Sequence, residues 1–156
     1  MMSKVLSIMS LYLLAFGLAV LPISFMQFGL RADILPNLGL CVVYFFATHR
    51  QIGALQIFIY GLFVSEIYGS PLGLESLLFV VIYALCTKYR VALLSKKPFS
   101  LYVGFALVAA IYGAAKYVIM SLHYGHLFDY AKVVMQVLTT ILFYPAVDFV
   151  MDRVRN

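Results

Sequence analysis

The chain has 156 residues, 65% of them hydrophobic and only 11% charged, with a formal net charge of +5 and a mean hydropathy of +1.03. A water-soluble domain is nearer to about 45–50% apolar and about 25% charged, which excludes an apolar core under a polar skin. The expectation is an all-α integral membrane protein, because the apolar runs are continuous rather than alternating and lipid admits only helices or closed barrels.

A helix needs about 20 apolar residues to cross the hydrocarbon, so the chain accommodates about six. They form a single domain, residues 1–156, with no room for a soluble one. The first apolar segment runs from Val5 to Phe28, behind Lys4. Its length and its lack of a small-x-small cleavage pattern read as a retained helix rather than a signal peptide. Ala15, Gly17 and Ala19 give it a small-residue face of the kind that lets membrane helices approach closely. The second segment covers Leu35–Thr48, with Pro36 suited to its first turn. The third covers Ile52–Tyr68 and the fourth Leu72–Leu85, joined by a Gly69-Ser70-Pro71 turn in which Pro71 starts the fourth helix. "KYRVALLSKKP" reads as an interfacial loop. The fifth segment, Phe99–Leu122, places Ala106, Ala110 and Ala114 four residues apart beside Ala109 and Gly113, a second packing face. The sixth covers Tyr130–Met151.

Basic residues orient the segments. With both termini cytoplasmic, the inner side receives Lys4, Arg50, Lys88, Arg90, Lys96, Lys97, Arg153 and Arg155, and the outer side only Arg31 and Lys132. An even number of crossings is what puts these clusters together. The positive charge therefore reflects topology in a multi-pass protein of the lipid bilayer, and no nucleic acid is implied.

Three charges fall inside the outer third of this arrangement: Glu66, Glu75 and Lys116. A charge within a membrane helix costs at least about 2.5–3.5 kcal/mol, so it faces the bundle or a partner. Lys116 is expected to pair with Glu66 or Glu75. Glu66 is the preferred partner, and Glu75 is placed at the headgroups, where snorkelling satisfies it. Gly73 is expected to serve close packing at the turn, so Gly73→Leu should impair assembly more than Glu75→Gln. Asp148 and Asp152 share a face near Pro145, suited to interfacial solvation or to a contact with a cytoplasmic partner or the Lys88–Lys97 loop. His123, His126 and Asp129 in "HYGHLFD" are not expected to hold a metal, since Gly125 breaks their helical register and no second cluster exists. Cys41 and Cys86 sit in apolar runs as small filler, without a disulfide or metal framework. Protease-like catalytic pairs, a Walker motif and a Gly-rich phosphate loop are missing, which points away from an enzyme and from a cofactor.

Three stretches together resemble the family of the bacterial rod shape-determining protein MreD. "LPNLGLCVVYFFATHRQ", Leu35–Gln51, is similar to that family's Pro-(Asp/Asn)-Leu run into an apolar helix, here Pro36, Asn37, Tyr44 and Arg50. "GLFVSEIYGSPLGLESL" is similar to its G-L-x-x-D-x-x-x-G-x-P-L-G-L signature, matched at Gly61, Leu62, Gly69, Pro71, Leu72, Gly73 and Leu74. "VLTTILFYPAVDFVMDRVRN" is similar to its last helix, with Pro145 and a short basic tail. One position departs: Ser65 stands where the family has its acid, and Glu66 follows one residue later, turned by about 100° on a helix.

The resemblance implies a non-enzymatic subunit of the cell-elongation machinery in the bacterial cytoplasmic (inner) membrane. It implies association with MreC and, through it or directly, with the actin-like MreB, the glycosyltransferase RodA and the class B transpeptidase. It also implies a compact bundle like the substrate-binding subunit of energy-coupling-factor transporters. The residues leave a second reading open: a small-solute binding subunit of a transporter, with Glu66, Glu75 and Lys116 around an outward-facing pocket. A membrane enzyme acting on a lipid is the third, disfavoured by the missing catalytic pairs.

Overall fold

A computed structural model describes residues 2–27, 35–49, 52–94 and 98–155, with side chains over 9–22, 35–49, 52–91 and 99–154. Six helices follow one another: α1 (Met2–Gln27), α2 (Leu38–His49), α3 (Ala54–Tyr68), α4 (Leu74–Leu94), α5 (Pro98–Tyr124) and α6 (Tyr130–Arg155). The protein is all-α, and each expected apolar segment is a helix. Arg31, Arg50, Lys96 and Lys97 lie outside the described residues, as do the side chains of Lys4 and Arg155.

Three boundaries differ from the sequence reading. Pro36 precedes α2 instead of opening it, and Pro71 belongs to the turn before α4. The expected loop, Lys88–Pro98, is helical as far as Leu94, so Lys88 and Arg90 lie on α4, and Pro98 opens α5. That stretch is rich in Lys, Arg, Ala and Leu with neither Gly nor Pro, and those residues are good helix formers whatever their polarity.

The centre of the fold is α2. Every residue from Leu38 to Thr48 is buried, and α1, α3, α4 and α6 all pack on it. A helix that is apolar all round has no face to give to water. The Tyr44 ring meets Phe105 and Tyr144 edge-on, and its hydroxyl donates to the Leu101 carbonyl at 3.0 Å. With 12 residues, α2 is about 18 Å long, well under the roughly 30 Å of a hydrocarbon layer.

A buried helix end must find partners for its free backbone groups within the protein. At the start of α2, the Asn37 side-chain oxygen accepts from the Leu40 amide at 3.1 Å, a helix cap. At the other end, Arg90 Nε on α4 donates to the Thr48 carbonyl at 2.5 Å. The helix is thus secured at both ends by polar contacts within the protein.

By length and composition, two helices among the described residues can cross a membrane: α5 over Phe99–Tyr124 and α6 over Tyr130–Val154. Only 22% and 17% of their most apolar windows are buried, the reverse of a core helix in a soluble protein. Large apolar side chains such as Leu107, Leu142 and Phe149 are exposed along them.

Close packing and turn geometry shape the α3–α4 hairpin. A Cβ on Gly61 would stand 2.8 Å from the Ser76 backbone nitrogen, so glycine is what brings the two helices together. Gly69 ends α3 in the left-handed conformation (φ +62), and the Ser70 amide reaches back to the Ser65 carbonyl at 3.1 Å.

Candidate functional site

The start of α2, the α3–α4 turn, the second half of α5 and the first half of α6 meet at one end of the bundle. Here the polar groups that an apolar chain can least tolerate are gathered. Glu75, in the first turn of α4, is 0% exposed, and Lys116 Nζ lies 2.6 Å from its Oε1. The Tyr112 hydroxyl, one turn before Lys116 on α5, donates to Glu75 Oε2. Ser70 Oγ, from the turn, donates to Oε1 at 3.3 Å. The carboxylate therefore accepts from an ammonium, a phenol and a hydroxyl, which is what a buried charge requires.

The network continues to α2 and α6. Asn37 Nδ2 donates to the Tyr112 oxygen at 2.6 Å, and the Asn37 amide donates to Thr140 Oγ1 at 2.9 Å. The Thr140 hydroxyl donates in turn to the Gln136 carbonyl at 2.6 Å. Asn37 thus caps a helix with its oxygen and bridges to α5 and α6 with its nitrogens. Asn37→Ala is expected to destabilise the fold by about 2 kcal/mol, the upper range for a lost cap, because the Tyr112 contact goes with it. Asn37→Ser, which can still cap, should cost less; unfolding in mild detergent with rising dodecyl sulfate measures both.

The structure corrects the preferred pairing. Lys116 joins Glu75, whereas Glu66 is exposed near the end of α3. Pro71 and Gly73 lead into α4 so that Glu75 faces inward, while Glu66 lies on the outer face of its own helix. Ser65, at the position of the family's acid, is wholly buried, and its hydroxyl donates back to the Gly61 carbonyl at 3.0 Å. The close-packing role expected of Gly73 falls to Gly61. A Cβ on Gly73 would meet nothing within 4 Å, and what its position demands is a φ of +90. This removes the ground for ranking Gly73 above Glu75.

Other singled-out residues lie elsewhere. Tyr44 is in the core beside Tyr144, whose hydroxyl donates to Asp148 at 3.3 Å; Asp148 is half-buried, and Pro145 is exposed inside α6. His123 and His126 are exposed, with ring contacts to Tyr124, and Asp129 accepts from the Ala131 amide at 3.1 Å to cap α6. Among the described residues, no three His, Cys, Asp or Glu side chains converge.

Two contributors escape the sequence reading. Tyr112 lies four residues before Lys116, hence on the same helical face, a signal that could have found it. Thr140 carries none: it looks like any other hydroxyl in an apolar helix.

Beside this cluster lies a cavity of about 230 Å³ between α5 and α6, bounded by Tyr68, Gly69 and Ser70 of the turn region. Lys116 and Tyr112 form part of its wall, so the ion pair is at once a structural clasp and the polar side of a hollow.

No family model matches the chain, and no solved structure matches it. It is similar to the uncharacterized protein RP566 of Rickettsia prowazekii (strain Madrid E), 27% identical over 143 residues that cover 90% of this chain and 81% of that protein.

Proposed function

We propose that the chain is a non-enzymatic, multi-pass subunit of the bacterial cell-elongation complex. It sits in the cytoplasmic membrane with both termini inside, binds MreC, and helps organise peptidoglycan synthesis and cell shape. MreB, RodA and the class B transpeptidase are reached through MreC or directly. The bundle then resembles the substrate-binding subunit of energy-coupling-factor transporters, with the shorter helices α2 and α3 enclosed or flanked by longer ones.

One observation carries this reading. The three stretches that resemble the MreD family meet in one hydrogen-bonded framework: Asn37 from the first bonds Thr140 of the third directly and reaches Glu75 of the second through Tyr112. Asn37 and Thr140 are 103 positions apart in the chain. A motif set that builds one end of the bundle supports a shared fold better than three isolated matches do. Glu75 and Lys116 pair within this framework, and the exposed apolar faces of α5 and α6 offer surface to lipid and to other membrane helices.

The test is recovery of MreC with the tagged chain from native membranes, together with depletion. The expected result is MreC in the eluate and rounding of rod-shaped cells on depletion. Loss of neither shape nor elongation, with no MreC recovered, would remove the reading.

The cavity beside Lys116 favours a second reading, a small-solute binding subunit of a transporter. Solute uptake that follows expression of the chain, without a change of cell shape, would favour it over the first.

A further inference from the structure

The hollow beside the Glu75–Lys116 pair has a divided chemistry. Val133, Val137 and Phe128 line it with apolar surface, while Lys116, Gln136 and Lys132 bring polar groups to it. Its volume of about 230 Å³ compares with the roughly 150 Å³ cavity that takes up benzene, and so suits a molecule of roughly ten non-hydrogen atoms.

An ammonium has three protons to donate. Glu75 Oε1 takes one from Lys116 at 2.6 Å, and the Tyr112 oxygen is a distant second acceptor at 3.4 Å. The Lys116 side chain keeps 18% of its surface exposed, which leaves an N–H for an occupant. Tyr68, also in the wall, has a buried hydroxyl that meets no hydrogen-bond partner among the described residues. Asp129 also borders the cavity, with its carboxylate accepting from the Ala131 amide at the start of α6.

We infer that this cavity binds a small carboxylic acid with an apolar body the size of an aryl group. Its carboxylate meets Lys116, and its ring lies against Val133, Val137 and Phe128. The inference deepens the solute-binding reading by naming a ligand class, but it requires binding alone and no transport.

The experiment is calorimetric titration of the full chain, purified in detergent, with phenylacetate and with phenylacetamide as the uncharged counterpart. Saturable binding of one phenylacetate is expected, with the amide weaker by about tenfold or more, the difference a charge-assisted hydrogen bond makes. Val133→Phe, which fills the hollow from α6, should abolish binding while leaving helicity and melting unchanged. The double variant Lys116→Met/Glu75→Gln, which strands no charge, should lose the preference for acid over amide. Absence of saturable binding by the folded protein, equal binding of acid and amide, or unchanged binding by Val133→Phe would each overturn the inference. Binding without solute uptake in cells removes only the transport reading, whereas uptake with no binding of the acid overturns the inference.

Discussion

Lys116→Met is expected to destabilise the protein by roughly 3–5 kcal/mol, the cost of leaving one member of a buried ion pair alone. Glu75 is fully buried, and without the ammonium it keeps, among the described residues, the Tyr112 and Ser70 hydroxyls as partners. Neither carries charge. Adding Glu75→Gln to Lys116→Met removes the stranded carboxylate, and a neutral amide among hydroxyls can still hydrogen-bond. The double variant should therefore recover most of the loss, because well-packed neutral groups often replace a buried pair at little cost. A double-mutant cycle followed by helical signal against rising dodecyl sulfate measures the coupling. Strict additivity of the two single losses would mean that the pair contributes nothing as a pair.

The second large effect is expected at Gly61. Gly61→Leu should cost about 3 kcal/mol, at the upper end for overpacking, since even the first carbon of any side chain collides with the Ser76 backbone. Backbone cannot rotate aside, so α3 and α4 must separate, and with them the turn that delivers Ser70 and Glu75. Gly73→Leu is the instructive comparison. It has open space around it, and its cost is the left-handed backbone alone, about 1–2 kcal/mol. The same unfolding measurement ranks the two, and a larger loss at Gly73 would contradict the hairpin geometry.

Both effects bear on function through one joint. If the chain binds MreC, as proposed, through the end of the bundle where α3 meets α4, Gly61→Leu should lower MreC recovery more than Gly73→Leu does. Asn37→Ala sits between them in its reach, because it loosens α2 at one end while Arg90 still holds the other.

How much of this is legible in the sequence can be judged residue by residue. The six helices follow from continuous apolar runs broken by Gly, Pro and charge, since lipid leaves the backbone few alternatives. Lys116 is recognisable as a charge needing a partner, and the expected topology puts two acids at its level in the bundle. Choosing between Glu66 and Glu75 needs the direction in which each helix faces. Their neighbours are alike in sequence; what differs is the rotation of α3 and α4 about Gly61, Gly69 and Gly73. The end of α4 defeats a reading in which charge means loop, because Lys and Arg are good helix formers.

By itself, the sequence determined the class of fold: an all-α chain of strongly apolar helices, with a few charges that must find partners. That follows from composition and period, which are local properties. Only the tertiary structure decided that α2 is the buried centre, that Asn37 rather than a charge ties three helices, and that Glu75 is the acid held by Lys116. Those outcomes depend on contacts between residues far apart in the chain, such as Asn37 and Thr140 at 103 positions, and pattern along the chain carries no record of which faces meet.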